Sequence, residues 1–93
     1  MGKKRKTNRL VIIEWEDSAQ PIPGWQLVSD FVASGVIKCA SVGWLVHDGD
    51  DHKVVAPNMG GLTGNAPPQI SGMIHIPTSC ILSMTDLKEM ERG

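Results

Sequence analysis

The reading of the fold turns on residues 37–58: IKCASVGWLV (37–46), HDGDDHK (47–53) and VVAPN (54–58). Ten strand-forming residues run into a polar cluster around Gly49, and a second apolar run follows. A β-rich run, a turn cluster containing Gly and a returning run predict a β-hairpin. Along the first run Val42, Trp44 and Val46 share one face by the period of two, and Cys39, Ser41, Gly43 and Leu45 share the other. Both faces are apolar or small. That predicts a strand covered on both sides or bent across a barrel, with Gly43 supplying the bend or bulge. Residues 52–58 return, and Pro57, which lacks an amide donor, ends the pairing.

Upstream, Val11, Ile13 and Trp15 alternate with Ile12, Glu14 and Glu16, predicting a strand over residues 10–16 whose first set faces the core. Residues 17–24 hold Pro21, Pro23 and Gly24 and read as a loop. Over residues 25–34 the side chains of Leu27, Val28, Phe31 and Val32 form one stripe of a 3.6-residue period. The spacing predicts a short helix, stopped by Gly35 in the left-handed conformation. A helix of ten residues is marginal by itself, so it is expected to be held by packing on the sheet.

Downstream, residues 59–69 contain three Gly and two Pro and show no period. They read as a long loop, either mobile or functional. Residues 70–76 alternate as a strand, residues 77–79 form a tight turn and residues 80–84 a last strand. Asp86 or Thr85 can cap a final helical turn through Met90, with Glu89 in the capping-box position if Asp86 is the cap. Residues 1–9 read as a disordered basic tail and residues 10–93 as one small domain. The expected class is mainly β with one short helix (α+β): a small, strongly bent antiparallel sheet or a five-stranded SH3/Sm-like barrel.

The 93 residues bound the chain to one domain, and 41% hydrophobic with 20% charged residues is the composition of a soluble globule. No stretch approaches the ~18 apolar residues of a membrane span. The charged start lacks the apolar region of a signal peptide, so the chain reads as cytoplasmic. Net charge is −1, but Lys3, Lys4, Arg5, Lys6 and Arg9 are five of the nine basic residues. The remaining four basic residues face ten acidic ones, so a basic tail hangs from an acidic body. Nucleic acid could be bound through that tail, but not through the body, which lacks clustered Lys and Arg. The tail could equally be solvated or lie on its own acidic body. Cys39 and Cys80 stand in no CxxC pair and read as buried, reduced thiols.

Three carboxylates and two imidazoles fall within residues 47–52, a set that could hold a divalent metal. The spacing is not that of an EF-hand, and Asp and Gly are what a hairpin tip requires, so the turn reads as structural and no metal or other cofactor is expected. His75 reads as a surface histidine with no partner assignable from sequence. No nucleophile-elbow context and no Ser-His-Asp or Cys-His pairing is legible, so no catalytic residue is assigned and no enzyme is expected. Trp15, Trp25 and Trp44 read as core anchors; the sharper reading leaves Trp25 or Trp44 partly exposed at an interface or as a stacking surface. Candidate ligand-binding residues are Trp25, Trp44, Asn58, Met59, Gly60, Gly61 and His75. Short strands leave open edges, so a homo-oligomer is expected, with no membrane partner.

Four blocks carry a resemblance: Val11-x-x-x-Trp15 with Asp17, Gly24-Trp25, Ser41-Val42-Gly43-Trp44-Leu45, and Gly72-Met73-x-x-Ile76-Pro77-x-x-Cys80-Ile81. Together they resemble a family of short, uncharacterised proteins encoded by bacteriophages and prophages, over residues 10–87. That resemblance transfers no activity to any residue. Together with the missing catalytic set, it leads to the expectation of a phage-encoded, non-enzymatic binding protein of the host cytoplasm, an accessory or anti-defence factor for a host protein or a nucleotide-type ligand. A small virion structural or assembly protein, and nucleic-acid binding through the tail, are the alternatives. The strand order is also similar to Sm-like and SH3-like barrels, a likeness of topology that implies no RNA binding.

Overall fold

The structure, a computed structural model, describes residues 8–88 apart from residues 20 and 22. Seven strands are present: β1 (Leu10–Asp17), β2 (Ile37–Asp48), β3 (His52–Ala56), β4 (Asn58–Gly60), β5 (Gln69–Ser71), β6 (Ile74–Pro77) and β7 (Ile81–Asp86). Five make one antiparallel sheet in the order β6-β3-β2-β1-β7, and β4 pairs with β5 in a separate hairpin. The β2–β3 hairpin lies at the centre, and its turn is closed by the Gly49 amide donating to the His52 carbonyl at 3.1 Å.

The sheet buries chiefly one face; on the other, Val54 and Ala56 of β3 are buried as well. Val11 and Ile13 of β1, Leu45 of β2, Val55 of β3 and Ile76 of β6 form the core, and Val11, Ile13 and Ile76 are fully buried. Trp15, Ile74, Ile81 and Met84 pack against this cluster from the rim. Trp15 keeps its polar edge satisfied: Nε1 donates to Ser41 Oγ at 3.0 Å. Gly43 is buried opposite Val11, where an added Cβ would lie 2.5 Å from the Ala56 carbonyl oxygen. Its missing side chain lets the β3 backbone come close, but the bulge expected at Gly43 lies at Val46 instead, where the register shifts between Leu45 and His47.

Several expectations are corrected. The sheet does not close into a barrel. The chain leaves β6 through Pro77, and a single 3-10 turn (Thr78–Cys80) carries it across against β3 and β1. Thr78 is tied there by its amide donating to the Asp51 carbonyl at 2.9 Å. No ladder therefore joins β6 to β7 among the described residues. Cys80 belongs to this turn rather than to a strand, and both cysteines are half-buried free thiols rather than fully buried ones.

The helix expected over residues 25–34 is absent; a three-residue 3-10 turn (Val28–Asp30) stands in its place. β-Branched Val28 and Val32 with Phe31, Ser29 and Ser34 are weak helix formers, and a segment this short forms a helix only against a packing surface. That surface is missing, because every described residue from 18 to 38 is exposed. Trp25 is accordingly not a core residue. The loop expected over residues 59–69 contains the ends of β4 and β5, and the strand expected over residues 70–76 is split at Gly72, where φ is +75°. Strand β7 runs through Asp86, so Asp86 caps no helix; the rest of that predicted turn, residues 89–90, lies outside the described residues, as do residues 1–7 of the tail.

The molecule is long for its size. Its radius of gyration is 18.8 Å over extents of 70 × 30 × 25 Å, against about 12 Å for a compact chain of this length. Two segments outside the five-stranded sheet, residues 18–36 and the β4–β5 hairpin, are exposed almost throughout their described residues. No helix among the described residues is long and apolar enough to cross a membrane.

Candidate binding site

The segment over residues 18–36, the arm, carries apolar side chains that no described residue covers. Trp25, Leu27, Val28, Phe31, Val32 and Val36 are all exposed, and Trp25 completely so. Gly24, at φ +110°, turns the chain after Pro23 into this segment. Trp25 and Phe31 line a hollow of about 510 Å³ with Ala19, Pro23, Gly24, Gln26 and Ser34. Its volume falls within the range of small-molecule sites. With Trp25 bare to solvent, however, the hollow has no roof.

The other candidates do not gather at the arm. Trp44 is half-buried on the outer face of β2, with Leu10 and Ala56 as its cross-strand neighbours. Asn58, Met59 and Gly60 form β4, where Asn58 Nδ2 donates to the Ser71 carbonyl at 3.5 Å and Met59 pairs with Ile70. Gly61 follows at φ +73°. In the tail, Lys3, Lys4, Arg5 and Lys6 lie outside the described residues. Asn8 is held to the sheet, its Nδ2 donating to the Leu45 carbonyl at 2.9 Å. Arg9 lies on the acidic body: its Nη2 donates to Asp86 Oδ1 at 2.6 Å, and Nη1 stands 3.7 Å from Asp48 Oδ2.

His75 does have company. Residues directly opposite in a ladder share a face, and Val54 is opposite both His47 and His75. His52, two residues before Val54, lies on that face too. In an unbroken ladder His47 would share the core face with Leu45, two residues before it. Here the register skips Val46, so His47 is turned to the outer face. All three histidines of the chain then stand in a row, with ring centroids 4.6 Å apart for His47 and His52 and 5.7 Å apart for His52 and His75. Val54, flanked by them, is 6% exposed although it points away from the core. Sequence reasoning missed this grouping because nothing in the pattern announces a bulge at Val46.

Carboxylates frame the same end of the hairpin. Asp51 Oδ1 lies 2.9 Å from His52 Nδ1, which donates to it when that nitrogen carries the proton. This bond, before any other cause, holds the Asp51 carboxyl below its usual value. Lys53 donates to Asp48 and lowers its pKa from 3.8, first by the hydrogen bond and then by charge, with Arg9 and His47 adding to the effect. A depressed carboxyl pKa stabilises the fold above the unfolded value, about pH 4, and that contribution is lost as pH falls through the folded value. Both carboxylates are solvated, so the effect on stability is small. Lys53→Ala is expected to return the Asp48 titration midpoint toward 3.8, read from its carboxyl carbon by NMR. An unchanged midpoint would show that Lys53 is not its cause.

No protein-family model matches the chain, and no curated protein or solved structure matches it significantly.

Proposed function

We propose that the chain is a non-enzymatic binding protein that works as a homo-oligomer, with the apolar arm over residues 18–36 as its contact element. The observation that carries this reading is the arm itself. Six large apolar side chains stand exposed on one segment of a domain whose own core holds only a handful of buried residues. Large apolar side chains left bare on one segment mark an interaction surface. A second copy is the simplest cover, because it also meets the open edges β6 and β7.

The ligand suited to the hollow is a planar, nucleotide-type molecule. Trp25 and Phe31 offer faces for stacking a base, and Gln26 and Ser34 offer hydrogen bonds. The roof that Trp25 lacks is supplied by the second copy. A role in a phage, as an accessory or anti-defence factor in the host cytoplasm, rests on the sequence resemblance alone.

Light scattering of the purified chain is expected to give a multiple of 10.1 kDa. Trp25→Ser with Phe31→Ser is expected to return the chain to that mass while the sheet remains folded. A wild-type chain that stays monomeric at high concentration would refute the self-association. Nucleotides titrated against tryptophan fluorescence test the ligand, and turnover without stable binding would overturn the non-enzymatic reading.

A further inference from the structure

The histidine row and the turn beside it form a second site, remote in sequence from the arm. We propose that His47, His52 and Asp51 bind a divalent transition metal of the zinc class on the outer face of the β2–β3 hairpin. One ligand atom from each of the three residues lies within 4.8 Å of the others. Donors around tetrahedral zinc stand about 3.4 Å apart, from bond lengths near 2.0–2.1 Å. Small rotations of side chains at the solvent boundary therefore close the set. Two imidazoles with one carboxylate is a donor set that suits zinc, copper or nickel and does not suit calcium or magnesium, which require mostly oxygen.

Three features of the backbone point the same way. The bulge at Val46 turns His47 off the core face and toward His52. Bulges re-aim side chains in this manner. Gly49 then leaves open the space between the donors: a Cβ there would lie 2.5 Å from His47 Nε2 and 3.3 Å from Asp51 Oδ1. Gly49 needs no positive φ for its turn, so the absent side chain serves space rather than backbone conformation. His75 stacks behind His52, with ring planes 13° apart, and steadies that ring without supplying a ligand. With three protein donors the metal keeps an open position for water or another ligand.

Isothermal titration of the full chain with zinc chloride is expected to show one zinc per chain, with no comparable binding of calcium. His47→Ala and His52→Ala should each weaken zinc binding more than about tenfold, whereas His75→Ala, which removes a neighbour rather than a ligand, should weaken it less. Gly49→Ala should also weaken it. Should an imidazole variant fail to fold, Asp51→Asn at the exposed turn serves in its place and should weaken binding several-fold. Cobalt in place of zinc should give the intense visible absorption of a tetrahedral site. The proposal is overturned if the wild-type chain binds no zinc, if calcium binds as tightly, or if zinc affinity is unchanged in the folded variants.

Discussion

Gly43→Ala is expected to cost about 3 kcal/mol of stability, and Gly43→Val to abolish folding. Position 43 lies in the middle of β2, paired with Val11 of β1. A Cβ there would stand 2.5 Å from the Ala56 oxygen, 2.8 Å from the Ala56 carbonyl carbon and 2.7 Å from Val55 Cγ1. Two of these three atoms are backbone, so no rotamer change relieves the overlap. Strand β3 cannot give way easily either, because it is held by ladders to β2 on one side and β6 on the other. Urea denaturation followed by tryptophan fluorescence measures the loss. Gly60→Ala is the control: an added Cβ there meets nothing within 4 Å, and surface changes of that kind stay within about 0.5 kcal/mol. Equal stabilities for the two alanine variants would contradict the close approach of β3 to β2.

Ile13→Ala is expected to remove about 2–5 kcal/mol, through lost burial and the cavity left behind. Ile13 is fully buried on β1, between Ser41 of β2 and Met84 of β7. A domain of this length is stable by roughly 5–14 kcal/mol in all, so one truncation removes a large share. The loss is hard to absorb because the core cluster is small, with Val11, Leu45, Val55 and Ile76 as its other buried members. Val42→Ala makes the contrast: Val42 is 51% exposed on the opposite face of the same sheet, and its truncation should cost far less. Midpoints and slopes from denaturant titrations separate the two. A similar cost at both positions would mean that the outer face of the sheet is as well covered as the core.

The hairpin at the centre of the sheet was legible because its signals are local. Alternation in β1 and β2, the Asp-Gly turn and Pro57 each act within a few residues. Gly43 stood out as a missing side chain in an otherwise strand-forming run, but its role was misread: the register slips at Val46, and Gly43 gives room to the β3 backbone. The arm was misread because periodicity reports which side chains need cover, not where the cover comes from. Leu27, Val28, Phe31 and Val32 have helical spacing, yet no surface among the described residues holds a helix there. The β4–β5 hairpin was missed because two strands of three residues, Asn-Met-Gly and Gln-Ile-Ser, are too short to show alternation and carry only one strong strand former, Ile70. The histidine row depended on a single skipped register position, and one residue of slip moves a side chain to the other face of a sheet. His47, His52 and His75 could each be seen in the sequence, but not their common face.

The two outer strands of the sheet, β6 and β7, differ in length and in residues. An isologous contact, β6 on β6 or β7 on β7, stops at two subunits related by a two-fold axis. A heterologous contact, β6 of one copy on β7 of the next, leaves a free end at every addition. It must then curl into a ring of fixed stoichiometry or run on as a filament. Point-group symmetry thus follows from which margins of the sheet meet.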